Sequence, residues 1–230
     1  MNLCFDLDGP IMDVIDRYYR AYLESLTGSN LVKEQILSKG DFWLLKQNRI
    51  TDLEIGILSG LSYSEAKDSA ELRKDLSFKH EYLELDKIFD DVYKIFEYLQ
   101  SKKIIFYIVT LRRKKQLAQA LKQHKISKYI SNERLFFLQD DQKIQNDVQE
   151  KYLLLVNAAN KLGLNPMETW LVGDSDTDVH AARLARYGKI IAITRGIKSR
   201  QQLEILKPDH LIDSLNELPQ ILNAQALARS

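Results

Sequence analysis

The sequence predicts an α/β fold, a parallel sheet with helices on both faces and a helical domain inserted after the first strand. Three features of the 230 residues carry that prediction. Short apolar runs recur along the chain, helical periodicities lie between most of them, and a long stretch near the N-terminus has helical signals without a convincing strand.

The apolar runs are LCF at 3–5, IIFYIV at 104–109, LFFL at 135–138, TWLV at 169–172 and IIAI at 190–193. Each is short and bounded by polar or turn residues, which reads as a buried strand. Helices are expected at about 87–101, at 116–124 (QLAQALKQH) and at 149–162 (QEKYLLLVNAANKL), the last stopping at Gly163. The apolar and aromatic positions of DVYKIFEYLQ at 91–100 recur at helical spacing and read as core. Strands alternating with helices favour parallel pairing through helical crossovers, a Rossmann-like sheet whose functional loops lie at the carboxyl ends of its strands.

Residues 14–84 break this alternation. DVIDRYYRAYLESLTG at 13–28 is helical in pattern, and two capping boxes follow, TDLE at 51–54 and SYSE at 62–65. Three to five helices are expected here, so the predicted division is a core of 1–13 and 85–230 and a helical insertion of 14–84. Asp13 is expected to cap the first of these helices.

Composition narrows the function. A hydrophobic fraction of 45%, a charged fraction of 28%, 9 Gly and 4 Pro describe a chain that folds. A formal net charge of +1 gives no global attraction to nucleic acid or an anionic membrane, so neither is expected as a partner. The one cysteine, Cys4, has no intramolecular partner and suits a reducing compartment. With no signal-peptide pattern and no apolar stretch of membrane-spanning length, the expected location is the cytoplasm.

The chemistry-bearing residues stand at strand ends. Asp6 closes the first run, Asp8 follows in the loop, and Gly9 allows a tight backbone path. Two carboxylates this close repel unless a cation lies between them or one is protonated. A second acidic cluster, Asp174, Asp176 and Asp178, follows the TWLV run and Gly173. Parallel strands that release carboxylates at their carboxyl ends can converge at a topological switch point, giving an oxygen-rich site suited to Mg²⁺. Thr110 ends the IIFYIV run just before a helix, where a hydroxyl and free N–H groups suit a phosphate oxygen. Lys151 could add positive charge to the same anion, and Lys143 competes for that role. Asp176 reads as a solvated loop residue, the RRKK run at 112–115 as a solvated helix face, and His80, His124, His180 and His210 lack metal-ligand spacing.

Taken in order, DLDGP at 6–10, Thr110, Lys151 and GDSDTD at 173–178 resemble the four motifs of the haloacid dehalogenase-like hydrolases, with the phosphoglycolate phosphatase-like subgroup nearest. The resemblance implies that residues 14–84 are an inserted cap domain. It implies Asp6 as nucleophile and Asp8 as the acid and base that moves protons. It implies Mg²⁺ held by Asp6, the Asp8 carbonyl and Asp174 with Asp178 in support, and a phosphoryl group bound by Thr110 and Lys151. A second aspartate at position 8 separates phosphate chemistry from dehalogenation, because a halide leaves without a proton. Pro10 departs from the commoner Thr, and Leu111 and Arg112 stand where many relatives carry Asn and Lys, so no role is carried over to them. Lys39, Lys46 and Arg49 are candidates for the polar tip of the cap, beside the plainer reading of a solvated helix surface.

The expected function is therefore a Mg²⁺-dependent phosphatase for a small phosphorylated metabolite, phosphoglycolate-like or a sugar phosphate, acting through an aspartyl-phosphate. The alternatives are a sugar phosphomutase on the same fold and a non-catalytic binding or regulatory protein that keeps it.

Overall fold

The computed structural model describes residues 1–29 and 31–227. In chain order the elements are β1 (Asn2–Phe5), β2 (Met12–Asp13), α1 (Ile15–Ser25), α2 (Lys39–Gln47), α3 (Asp52–Leu58), α4 (Tyr63–Leu76), α5 (His80–Leu83), β3 (Lys87–Ile88) and α6 (Val92–Ser101). They continue with β4 (Ile105–Arg113), α7 (Lys114–Gln123), β5 (Leu135–Leu138), α8 (Asp147–Leu162), β6 (Thr169–Gly173), α9 (Asp176–Leu184), β7 (Lys189–Ile193), α10 (Arg200–Ile205), β8 (His210–Ile212) and α11 (Leu218–Leu227). The chain divides into two compact units, Met1–Met12 with Ile88–Ser230, and Asp13–Lys87. No helix among the described residues is long and apolar enough to cross a membrane.

The first unit is a six-stranded parallel sheet in the order β5-β4-β1-β6-β7-β8. All four residues of β1 are buried, as a strand covered on both faces requires, and Cys4 is paired with Tyr107 of β4 and Leu171 of β6. The chain builds β4 and β5 on one side of β1 and then β6, β7 and β8 on the other. The carboxyl end of β1 therefore lies at the point where the strand order reverses.

Helices close over this sheet through small residues and one polar link. Ala181 and Ala182 of α9 are fully buried against Leu155 and Ala158 of α8, so the two helices approach closely. Among those side chains the Tyr107 and Tyr187 hydroxyls lie 2.7 Å apart, and Tyr187 donates to the Leu155 carbonyl at 3.1 Å. Burial holds both phenols above their ordinary range, so they stay neutral and available as hydrogen-bonding groups. Helix α8 stops where the sequence says it should, with Gly163 in the left-handed region at φ 62°.

Three local expectations are corrected. The helix expected at about 87–101 starts only at Val92, because Lys87 and Ile88 form β3 and the Asp91 carboxylate is occupied by Arg195, Ser214 and Leu215 and makes no side-chain cap. Asp13 lies in β2 and Val14 is the cap residue, although the Asp13 carboxylate still accepts the Ile15 N–H at 3.0 Å. A sixth strand, β8, is present where no strand was expected, since three half-buried or buried residues at the sheet edge leave no apolar run to read.

The second unit contains five α-helices among its described residues. Both capping boxes form: Thr51 accepts from the Glu54 N–H while Glu54 accepts from the Thr51 N–H, and Ser62 and Glu65 repeat the pattern. Tyr22 and Phe42 stack with centroids 4.9 Å apart, and the Tyr22 hydroxyl reaches Ser59 Oγ at 2.7 Å. The unit also buries a charge pair, Arg17 Nε to Asp86 Oδ1 at 3.0 Å, with both side chains 1% exposed. Lys39 and Lys46 spend their charges inside this unit, on Asp16 and Asp52 at 2.8 Å each, and Arg49 occupies a left-handed position after α2 at φ 63°.

A buried ion pair adds little net stability, but breaking one side of it strands a charge. Asp86→Asn, which keeps the shape and removes the charge opposite Arg17, is expected to destabilise the protein by about 3 kcal/mol. Urea unfolding followed by far-ultraviolet circular dichroism measures this.

Candidate active site

The loop that leaves β1 is wound tightly. The Asp6 N–H donates to the Val172 carbonyl at 2.9 Å, so Asp6 is still registered on β6. The Leu7 carbonyl then accepts from Ile11 and Met12, and Gly9, at φ 91°, donates to the Met12 carbonyl. A side chain at Gly9 would collide with the Asp174 carboxyl group, as would one at Gly196. Both glycines are thus required by close approach to Asp174, and Gly9 by its backbone angle as well.

Four of the residues singled out from the sequence converge here. Lys151, 1% exposed on α8, places Nζ 2.6 Å from Asp6 Oδ1 and 3.0 Å from Asp178 Oδ1. Asp6 Oδ1 also accepts the Leu7 N–H at 2.8 Å. Asp174, directly after β6, accepts the Ile197 N–H on Oδ2 at 2.6 Å. Asp178 spends its other oxygen on its own loop, accepting from the Asp174 and Ser175 N–H groups at 3.2 Å and from Ser175 Oγ at 2.6 Å, while Ser175 caps α9. Asp6, Asp174 and Asp178 each offer an oxygen within 4.8 Å of the others.

Asp8 and Thr110 meet through a residue that was assigned no role. Arg112 donates from Nε to Asp8 Oδ1 at 2.8 Å and places Nη2 2.6 Å from the same oxygen, while its backbone N–H donates to Thr110 Oγ1 at 3.1 Å. The solvated-face reading of residues 112–115 is therefore wrong for Arg112, which is 4% exposed. Strand β4 runs on to Arg113, and α7 starts only at Lys114. The available signal was strand periodicity: Arg112 is two residues beyond Thr110 and shares its burial, whereas Leu111 between them is half-buried.

The remaining candidates lie elsewhere. Lys143 is exposed. Asp176 is the first residue of α9, not a loop residue, and is ion-paired with Lys198 at 3.2 Å. His80 and His180 are exposed, and His210 stacks against Trp170. None of the four histidines belongs to the acidic cluster.

Charge crowding dominates the electrostatics. Burial, reinforced by Asp178 and only partly opposed by Lys151, pushes Asp6 from its ordinary 3.8 up to about 7. Burial and the Asp178 and Asp6 charges push Asp174 well above its ordinary range. Burial alone would lower Lys151, but Asp178 and Asp6 outweigh it and hold the ammonium charged. Three carboxylates and one ammonium leave an excess of two negative charges in a buried, all-oxygen donor set, which fits a hard divalent cation such as Mg²⁺. Asp6 and Asp174 are the side chains that could hold such an ion, with Asp178 locked into the surrounding hydrogen bonds.

Known proteins share parts of this sequence and its fold. Residues 151–218 match a family model described as HAD-hydrolase-like. The chain is similar to the pyrophosphatase PpaX of Bacillus mycoides, 26% identical over 147 residues that make up 64% of this chain and 65% of the relative, so it spans just under two thirds of that relative's length. It is similar over 97% of its own length, and 96% of the relative's, to a phosphoglycolate phosphatase of Vibrio parahaemolyticus at 24% identity. Its fold is shared with a haloacid dehalogenase-like family hydrolase from Streptococcus pneumoniae at a TM-score of 0.70 and 18% identity, covering 96% of this chain and 97% of that one. With a reversing sheet order that draws the ends of β1 and β6 together, the chain is similar to the haloacid dehalogenase-like hydrolases, in sequence over residues 151–218 and in fold over nearly its whole length.

Proposed function

We propose that the protein is a Mg²⁺-dependent phosphatase that hydrolyses a small phosphorylated metabolite, phosphoglycolate-like or a sugar phosphate, through an aspartyl-phosphate on Asp6. The observation that carries this reading is the Lys151 ammonium seated between Asp6 and Asp178, with Asp174 alongside. A partly buried nucleophile aligned by a fixed cation is what in-line transfer of a charged phosphoryl group needs.

Lys151 and the Leu7 N–H both hold Asp6 Oδ1, which fixes the plane of the carboxylate. In the first half-reaction an Asp6 oxygen bonds to phosphorus as the bond to the leaving oxygen breaks, and Asp8 gives that oxygen its proton. In the second, Asp8 takes a proton from water, the water oxygen bonds to phosphorus, and the bond to Asp6 breaks to release inorganic phosphate. Arg112 orients Asp8 for both transfers, and Thr110 and Lys151 bind the transferring oxygens. Mg²⁺, when bound, neutralises charge on the phosphoryl oxygens and on the crowded carboxylates. The helical unit acts as the cap that selects the substrate, and a cytoplasmic setting suits a lone, buried Cys4 thiol.

Phosphate release with and without Mg²⁺, across phosphoglycolate, pyrophosphate and sugar phosphates, tests the reading. Mg²⁺-dependent release concentrated on one compound supports it, isomerised sugar phosphate without free phosphate indicates the mutase, and no turnover of any compound indicates a binding protein. Asp6→Asn is expected to cut turnover by about 1,000-fold or more while circular dichroism shows the fold retained; near-normal rates would remove Asp6 as nucleophile. Arg112→Met, leaving Asp8 unoriented, is expected to lower kcat by about 10-fold, part of the 10²–10⁴ that positioned proton transfer typically supplies; steady-state kinetics on the best substrate reads it.

The raised Asp6 carboxyl has a further consequence for pH. Between its ordinary 3.8 and about 7 the folded, metal-free protein holds a proton that the unfolded chain does not. Its contribution to stability is therefore full below about pH 4 and is lost as pH rises to about 7. Thermal unfolding in EDTA is expected to show falling stability across that window, and added Mg²⁺ is expected to stabilise far more at pH 8 than at pH 5. Equal stabilisation at both pH values would contradict a site made of these carboxylates.

A further inference from the structure

Asp174 is pressed between two backbone segments that come from different strands. One is the loop after β1, where Gly9 abuts its carboxyl group. The other is the loop after β7, where Gly196 abuts it and the Ile197 N–H donates to Oδ2 at 2.6 Å. Any drift of either loop alters where Asp174 points.

A single guanidinium joins the two loops. Arg195, adjacent to Gly196, donates from Nη2 to the Pro10 carbonyl, next to Gly9. Its Nη1 donates to both carboxylate oxygens of Asp91 at 2.8 and 2.7 Å, and the guanidinium lies 3.9 Å from the centroid of the Phe89 ring. The anchor is itself fixed, because Asp91 Oδ2 also accepts from Ser214 Oγ at 2.7 Å and the Leu215 N–H at 2.9 Å. Burial opposes the Asp91 charge, but these donors outweigh it and hold the carboxyl below its ordinary range. Arg195 is 14% exposed and Asp91 8%, so the link is largely shielded from solvent.

We propose that Arg195 is a positioning residue for the metal site: by tying the Pro10 carbonyl to Asp91 it sets the Gly9 and Gly196 loops around Asp174 and so sets the affinity for Mg²⁺ without touching the ion. The inference rests on the metal site proposed above. Arginine is required because one planar group must serve a carboxylate, a carbonyl and a ring face together, which a lysine ammonium cannot do.

Calorimetric titration of Mg²⁺ into the metal-stripped full chain tests it. Arg195→Met is expected to weaken Mg²⁺ binding by about 10-fold, the lower end of what loss of an outer partner of a ligand costs. Asp91→Asn is expected to weaken it in the same direction, the double variant no further than the worse single one, and Arg195→Lys to restore little. A purely structural role would lower the unfolding temperature in EDTA and leave Mg²⁺ affinity as in the wild type, and that result in folded variants overturns the assignment. If Arg195→Met does not fold, Asp91→Asn decides by the same measurement. A wild-type protein that binds Mg²⁺ while both variants bind it equally well removes only the role of Arg195. A wild-type protein that binds none removes the metal site and this inference together.

Discussion

Mutual repulsion among Asp6, Asp174 and Asp178 is the constraint on which the rest of the site depends. Three carboxyl groups with oxygens this close, two buried and that of Asp6 partly so, cannot all carry charge unless positive charge is delivered to the same place. Lys151 delivers one unit from α8, and the surrounding hydrogen bonds take the edge off the remainder: Ile197 on Asp174, and Ser175 with two backbone N–H groups on Asp178. The balance left over matches the charge of a divalent cation, which is what the proposed metal site would supply to the same crowded carboxylates.

Such crowding needs a rigid frame. The parallel sheet provides it by placing β1 between β4 and β6 at the reversal of strand order, so that the loops bearing Asp6 and Asp174 emerge side by side. Where backbone leaves no room for a side chain beside the cluster the residue is glycine: Gly9 and Gly196 lie against the Asp174 carboxyl, and Gly173 lies against Asp178. Charges further out repeat the pattern on a smaller scale. Arg112 of β4 is held on Asp8, and Lys198 and Arg195, both in the loop after β7, are held on Asp176 and Asp91.

Where sequence reading failed, a non-local partner had taken a group that local rules assign elsewhere. The helix expected from about residue 87 begins only at Val92: Lys87 and Ile88 form β3, and Arg195, more than a hundred residues later, holds the Asp91 carboxylate just before α6. The RRKK run looks like a helix surface because four consecutive cations usually are one; continuation of β4 past Thr110 buries Arg112 instead and points it at Asp8. The edge strand β8 was missed because only three residues pair, with no apolar run to mark them.

The sequence by itself determined the class of sheet, the strand ends at which Asp6 and Asp174 stand, both capping boxes and the stop of α8 at Gly163, but not the end of β4, which runs past Thr110 to Arg113. These depend on periodicity and on neighbours within a few residues, which a linear chain displays directly. Tertiary structure alone decided that Lys151 would sit between Asp6 and Asp178, that Arg112 would hold Asp8, and that the Ile197 N–H and two glycines would enclose Asp174. Those contacts join residues well separated in the chain, 23 positions apart for Ile197 and Asp174 and 145 for Lys151 and Asp6, through strand order and loop closure, and the free energy of a buried charge depends on what the fold brings beside it.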